Sequence, residues 1–216
     1  MRKEKLADGS MYHIFSKSIA GYVIFNDKEE YDRMLEGIRF YQMGKPLLSF
    51  ARFCECTKEK QIIISKATQG EGQVEIIAYC LMPTHIHFIL KQKKEEGISF
   101  FMKNLLNSHT RYFNKKHGRK GPLWEGRFKN VLVENDAQLM HLTRYVHLNP
   151  VTAHIIDDPE SWEHSSYKEY MGKTNGKSIC NYKDLIDITP NAYSEFVKDH
   201  IGYQRELANI KKLVLD

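Results

Sequence analysis

Two histidines one residue apart, 85-HIH-87, open an apolar run just after Pro83-Thr84. On a strand, residues i and i+2 project from the same face, so His85 and His87 could reach one divalent ion together. A core has little use for paired imidazoles, whereas a metal or a phosphate has a great deal. Two histidines do not complete a metal site; a third protein ligand is needed, with water or a substrate oxygen for the rest. Without further context, partly exposed histidines near a strand start would look the same.

A second candidate lies in 136-DAQLMHLTRYVHLN-149, followed by Pro150. Helical spacing makes Leu139, Leu142 and Val146 the buried stripe and sets Tyr145 and Asn149 about 40° apart along its edge. An edge position lets a side chain lean over a sheet while its tip stays wet. Tyr145 offers a phenol, and Asn149 an amide oxygen able to ligate a hard cation. His141 is a looser candidate on the same line, while His147 points to the opposite side and is expected in solvent. Pro150 disfavours helical geometry at Asn149, so the helix is expected to end there. An ordinary tyrosine covering the core rim is the competing reading of Tyr145.

Charge supplies a third feature. Arg111, Lys115, Lys116, Arg119, Lys120, Arg127 and Lys129 face a single acid, Glu125, between residues 111 and 129, so this segment is net +6 in a chain of net +5. The rest of the chain is therefore close to neutral. Cations interleaved with Tyr112, Phe113, Trp124 and Phe128 suit a nucleic-acid backbone with stackable bases. A solvated helix end and loop is the alternative.

The elements that must position these groups can be read from periodicity. Residues 11–19 alternate as a strand, and Tyr31, Leu35 and Ile38 recur at helical spacing until 44-GKP-46. Residues 47–69 read as a helical or irregular connection, and 68–73 as a loop. Val74–Met82 and 85–91 read as two strands that a short link forces to pair antiparallel. A second helix runs from about Ser99 with Met102, Leu105, Leu106, His109, Tyr112 and Phe113 inward. A strand follows over 127–134, then a third helix that Asn135 and Gln138 cap as a capping box.

The order β, α, β, β, α, β, α predicts an α+β fold, a ferredoxin-like (RRM-like) antiparallel sheet with helices on one side. Residues 1–171 are expected to form that domain, and 172–216 a linker and a small C-terminal helical appendage. At 42% hydrophobic residues the chain can bury a core, which excludes global disorder. No apolar run has the roughly 18–20 residues that a membrane span needs. The charged N-terminus lacks a signal peptide's apolar region, so a cytoplasmic protein is expected. Cys54, Cys56, Cys80 and Cys180 show no zinc-ribbon spacing and are expected as free thiols.

Taken together, the strings 79-YCLMPTHIHFIL-90, 110-TRYFNKKHGRKGPLWEGRFK-129 and 144-RYVHLNPV-151 resemble the REP-associated tyrosine transposases, a branch of the single-tyrosine HUH transposases. So do the opening YHIFSKS with 24-IFND-27, and 158-DPESWEHSSYKEYMG-172. The resemblance runs from about Tyr12 to Gly172. It implies that His85 and His87 bind Mg²⁺ or Mn²⁺, that Asn149 is the third ligand, and that Tyr145 is the nucleophile.

The implied activity is metal-dependent cutting and rejoining of single-stranded or hairpin DNA through a 5′-phosphotyrosine. On that reading the seven cations of 111–129 track phosphates, while Trp124 and Phe128 stack on bases. The chain departs from the family's commonest pattern in the extended 47–72 segment, in Thr84 where asparagine is frequent, and in Pro122-Leu123-Trp124-Glu125. A non-catalytic single-strand-binding module and a metal phosphoesterase with a water nucleophile are the other readings. The protein is expected as a monomer or homodimer; a homodimer could set Tyr145 against its neighbour's histidines.

Overall fold

The computed structural model describes residues 6–68, 72–174 and 178–215, without the side chains of 209–215. The centre of the expected loop at 68–73 and residues 175–177 of the expected linker lie outside the described residues. Four strands, β1 (Met11–Lys17), β2 (Val74–Met82), β3 (His85–Gln92) and β4 (Lys129–Val133), form one sheet in the order β2-β3-β1-β4. Every neighbouring pair is antiparallel. This is the split arrangement that the element order predicts.

Helix α1 (Lys28–Gln42) starts at Asp27, whose carboxylate accepts the Glu30 amide hydrogen at 3.0 Å, an N-cap of the expected kind. The 47–69 connection resolves into two short helices, α2 (Phe50–Glu55) and α3 (Lys58–Thr68). Helix α4 (Gly97–Lys116) begins against β2's entry, where a Cβ on Gly97 would meet the Gln73 carbonyl oxygen at 2.2 Å. Only glycine fits that approach.

Helix α5 (Asp136–Thr152) has the anticipated N-cap at Asn135, but the reciprocal bond to Gln138 comes from one residue before the cap and does not close a capping box. Asn135 Oδ1 accepts from Gln138 N at 2.9 Å, and Gln138 Oε1 accepts from Glu134 N at 2.6 Å. It does not stop at Asn149. It runs through Pro150, whose missing N–H frees the Val146 carbonyl. The Asn149 amide nitrogen donates into that gap, to Tyr145 O at 2.9 Å and Val146 O at 3.5 Å.

The helices do not share one side of the sheet. Ile86, Phe88 and Leu90 face α1 and α4, with Phe88 edge-on to Phe101 at 6.0 Å. His85 and His87 point the other way, beneath α5. The short helix α6 (Tyr167–Tyr170) and the helices α7 (Pro190–Lys198) and α8 (Ile201–Leu215) close this second layer.

The segment set apart by sequence as an appendage contributes Ile179, Tyr182, Ile186, Tyr193 and Val197 to the same buried core. Arg205 ties α8 to the end of α5 through Val151 O (3.2 Å) and Asp157 (2.9 Å). The cysteines are free thiols, with Cys80 and Cys180 buried. Among the described residues no helix is long and apolar enough to cross a membrane.

Candidate active site

Sheet register brings the first chemistry together. His87 on β3 lies opposite Phe15 on β1 and Cys80 on β2, while His85 lies opposite Lys17 and Met82. His13, two residues before Phe15, joins the same face. Its Nε2 is 3.0 Å from His87 Nδ1, and the two rings stack at 5.2 Å. Sequence reasoning missed His13. The signal was its place on the same alternating face as Phe15, but only the β1–β3 register shows which histidine it meets.

Thr84 performs the matching task for His85, its hydroxyl lying 3.0 Å from His85 Nδ1. Both histidines of the pair therefore have Nδ1 engaged and keep Nε2 for something else. With His87 Nδ1–H donating to His13 and His85 Nδ1–H donating to Thr84, the Nε2 lone pairs are the ones presented. An outer partner that fixes tautomer and ring orientation in this way is how metal-binding histidines are usually held. Burial holds all three imidazoles neutral. It lowers His13 and His85 to about 4, Lys17 adding to the effect at His85. It pushes His87 well down, helped by His85, His13 and Lys17. Neutral imidazole is the form that ligates.

Tyr145 reaches this group from α5 in the same chain. Its ring stands edge-on to His87 at 5.7 Å and to His13 at 5.8 Å. Burial raises its phenol above the usual value, so its surroundings alone work against the phenolate. Asn149 lies one turn on, half-buried, with its amide nitrogen turned to the helix. Its oxygen is left as the free end.

Among the described residues no three His, Cys, Asp or Glu side chains gather as a metal cluster. A cation here would be held by the two Nε2 atoms and completed by the Asn149 oxygen and by water or substrate oxygens. Imidazole nitrogens with hard oxygens and open positions are a donor set for a divalent ion.

Two other α5 histidines behave differently from the pair. His147 is not in solvent: it is fully buried, with Nδ1 2.7 Å from the Tyr193 hydroxyl and Nε2 2.7 Å from Ser166 Oγ. The stripe that α5 buries includes Thr143, Arg144 and His147 because α7 covers that side. His141 is exposed and sits 2.7 Å from Arg144 Nη2, away from the pair.

The basic segment divides. Lys116 is bound to Asp27 (2.7 Å) and Glu29 (3.1 Å) at the start of α1. Arg119 is held by Asn114 Oδ1 and the Pro122 carbonyl. Trp124 is buried, its indole N–H shared between Leu106 O (3.2 Å) and Thr110 Oγ1 (3.1 Å), and Phe128 is buried too. These four fasten the 117–128 loop to α1 and α4. Arg111, Lys115, Lys120, Arg127 and Lys129 remain exposed, and Lys129 Nζ lies 6.0 Å from the Phe15 ring beside His87.

Comparison with known proteins agrees with the motifs. The family model described as "Transposase IS200 like" matches residues 53–149, which hold the histidine pair, Tyr145 and Asn149. A Haemophilus influenzae protein (strain Rd), provisionally described as a REP-associated tyrosine transposase, is 26% identical over 112 residues. That alignment takes in 47% of this chain and 64% of the relative, just under two thirds of its length. The fold matches a REP-associated tyrosine transposase solved with a REP hairpin, at TM-score 0.55 and 16% identity over 88% of this chain and 94% of that one.

Proposed function

We propose that the chain is a REP-associated tyrosine transposase, a metal-dependent single-stranded DNA endonuclease and strand transferase acting through Tyr145. One observation carries the reading: a tyrosine stands edge-on to His87, one of a histidine pair whose Nδ1 atoms are both tied back and whose Nε2 atoms have no hydrogen-bond partner among the described residues. A packing tyrosine or a structural histidine needs no such arrangement.

His85, His87 and Asn149 would hold Mg²⁺ or Mn²⁺, which when bound neutralises a non-bridging phosphate oxygen and favours ionisation of a nearby phenol. The chain's own residues do the rest. Tyr145 Oη attacks phosphorus and a P–Oη bond forms as the P–O3′ bond breaks. The phenol loses its proton, and the departing 3′ oxygen gains one. The product is a 5′-phosphotyrosine with a free 3′-OH, and because the bond is conserved a 3′-OH can later reverse the step.

Arg111, Lys115, Lys120, Arg127 and Lys129 would meet phosphates, with Lys116, Arg119, Trp124 and Phe128 holding the loop that presents them. The structural neighbour's REP hairpin makes hairpin DNA the first substrate to try. The His87–Tyr145 contact within one chain favours a site that needs no partner's tyrosine.

The test is a labelled hairpin oligonucleotide with Mn²⁺, run on a denaturing gel beside lanes with EDTA, Tyr145→Phe and His87→Ala. A covalent protein–DNA band lost in all three is the expected result. Cleavage without an adduct that persists in Tyr145→Phe would replace this reading with the water nucleophile. Binding without cleavage in every lane would favour the non-catalytic module.

A further inference from the structure

We infer that a second, sequence-independent DNA-backbone track lies on the outer face of α4, walled by the α2 insertion, and continues the path of the strand that occupies the Tyr145 site. This rests on the proposed DNA substrate but not on the chemistry. A groove of about 860 Å³ runs between α1, α2 and α4. Its cations come from three elements: Arg33 on α1, Lys45 before α2, and Lys103, Arg111 and Lys115 on α4. Glu55 is the acid that lines it among the described residues, with Glu36 nearby beside Cys54.

The spacing on α4 is regular. Lys103, Asn107, Arg111 and Lys115 recur every four residues, all exposed. At a rise of 1.5 Å per residue they form a row about 18 Å long, with about 6 Å between steps. A row of that pitch offers repeated contacts to a phosphate backbone. Two of the groove's rings, Phe50 and Tyr112, are committed elsewhere. Phe50 lies under the Arg33 guanidinium at 4.2 Å, and the Tyr112 hydroxyl donates to Glu29 at 2.9 Å. A surface whose charged lining is mainly cationic recognises backbone charge and reads no sequence.

The track is continuous with the catalytic face. Lys103 and Asn107 also line a second depression with Arg127. Arg127 and Gly126 line a third with Phe15, Lys17 and Lys129. Phe15 is the ring that stacks against His87 at 5.9 Å. A strand leaving the histidines can therefore pass over the β4 edge and meet Lys129, Arg127 and Lys103 on its way to Lys45, with Glu125 and Glu96 the acids beside that path.

The test uses the full chain and Lys45→Glu/Lys103→Glu, two exposed side chains outside the catalytic face. Fluorescence anisotropy in EDTA measures affinity for oligo(dT) of about 8 and about 25 nucleotides, with thermal melting as the folding control. In the unaltered protein the longer strand binds more tightly. In the double variant that gain is expected to be lost, with at least a tenfold weaker affinity for the longer strand. Its salt dependence should be shallower, by a slope of about 1.4 for two lost single-strand contacts. The short strand should bind unchanged. A retained gain overturns the track, and equal weakening of both strands overturns its continuity with the catalytic face. The adduct assay is separate: loss of adduct chemistry with the length effect intact refutes the nuclease and leaves the track standing.

Discussion

Two residues of α5 and a half-turn of helix separate two histidine networks with opposite characters. On the Tyr145 side, His85 and His87 each have one ring nitrogen engaged and one unused. On the other side, His147 has both nitrogens engaged, by Tyr193 and Ser166, and Ser166 Oγ in turn accepts from Tyr79 N at 2.9 Å. Burial alone does not separate them, since His87 and His147 are both buried. The difference lies in the accounting of donors and acceptors. A satisfied imidazole clamps elements together, and an unsatisfied pair beside a phenol is poised to take a ligand.

The strongest way to break this comparison is Tyr145→Phe. It removes one hydroxyl, on a half-buried residue, that has no hydrogen-bond partner among the described residues, so the expected loss of adduct is at least about 10³-fold with an unchanged melting temperature. A variant that still forms adduct would make Tyr145 a rim residue. The converse test is His147→Ala, which leaves Tyr193 Oη and Ser166 Oγ short of a partner in a dry site and opens a cavity. The expected destabilisation is about 3–5 kcal/mol by urea unfolding. His85→Ala, at a partly exposed position, should destabilise by under about 1 kcal/mol yet abolish the adduct. If those two stability effects came out equal, the distinction between clamp and ligand would fail.

His13 sharpens the comparison, because it shares the face of the proposed site with one ring nitrogen already engaged by His87. The role proposed for it is to accept a hydrogen bond from His87 Nδ1–H, the tautomer that leaves Nε2 unprotonated. In His13→Phe that partner is lost while ring packing is kept. Mn²⁺ affinity, read by titration calorimetry without DNA, is expected to fall by about 10–100-fold, the usual effect of losing an outer-shell partner. His13→Gln, whose side-chain oxygen can still accept, should recover part of it. Equal affinity in all three proteins would reduce His13 to packing.

Much of this was legible in the sequence. Alternation and helical period gave the element order, and the short Pro83-Thr84 link gave the β2–β3 pairing. His85, His87, Tyr145 and Asn149 were each singled out by spacing before any family resemblance entered. What stayed hidden depended on contacts far apart in the chain. His147 looked exposed because its cover, Tyr193, comes 46 residues later and from a segment with no readable motif. Lys116 looked free because its partners, Asp27 and Glu29, lie on α1. Element order did not say that α5 crosses to the face opposite α1 and α4. Pro150 was read as a stop because its local rule is sound, and the Asn149 amide overrides it.

His109 is the smallest and most exacting case, since it too keeps a nitrogen free. Its Nε2 donates to Ile24 O at 3.0 Å, while its buried Nδ1 has no partner. Its neighbours are the rings of Phe25, Phe113 and Trp124, with no second ligand in reach, so a lone free nitrogen is not a site. Its effect should be purely one of stability. Burial lowers His109 from 6.5 to about 4. Between those values the unfolded chain binds a proton that the native one refuses, so stability is full above the unfolded value and falls as pH drops through the window. Comparison with His109→Gln, which can still donate to Ile24 O, isolates this term from the other buried histidines. The stability difference between the two proteins should be constant above about pH 7 and shift against the unaltered protein by about 1.4 kcal/mol at about pH 5.5. Parallel stability curves across that range would mean that His109 protonates in the native state, and that the unpartnered nitrogen has found a donor or acceptor after all.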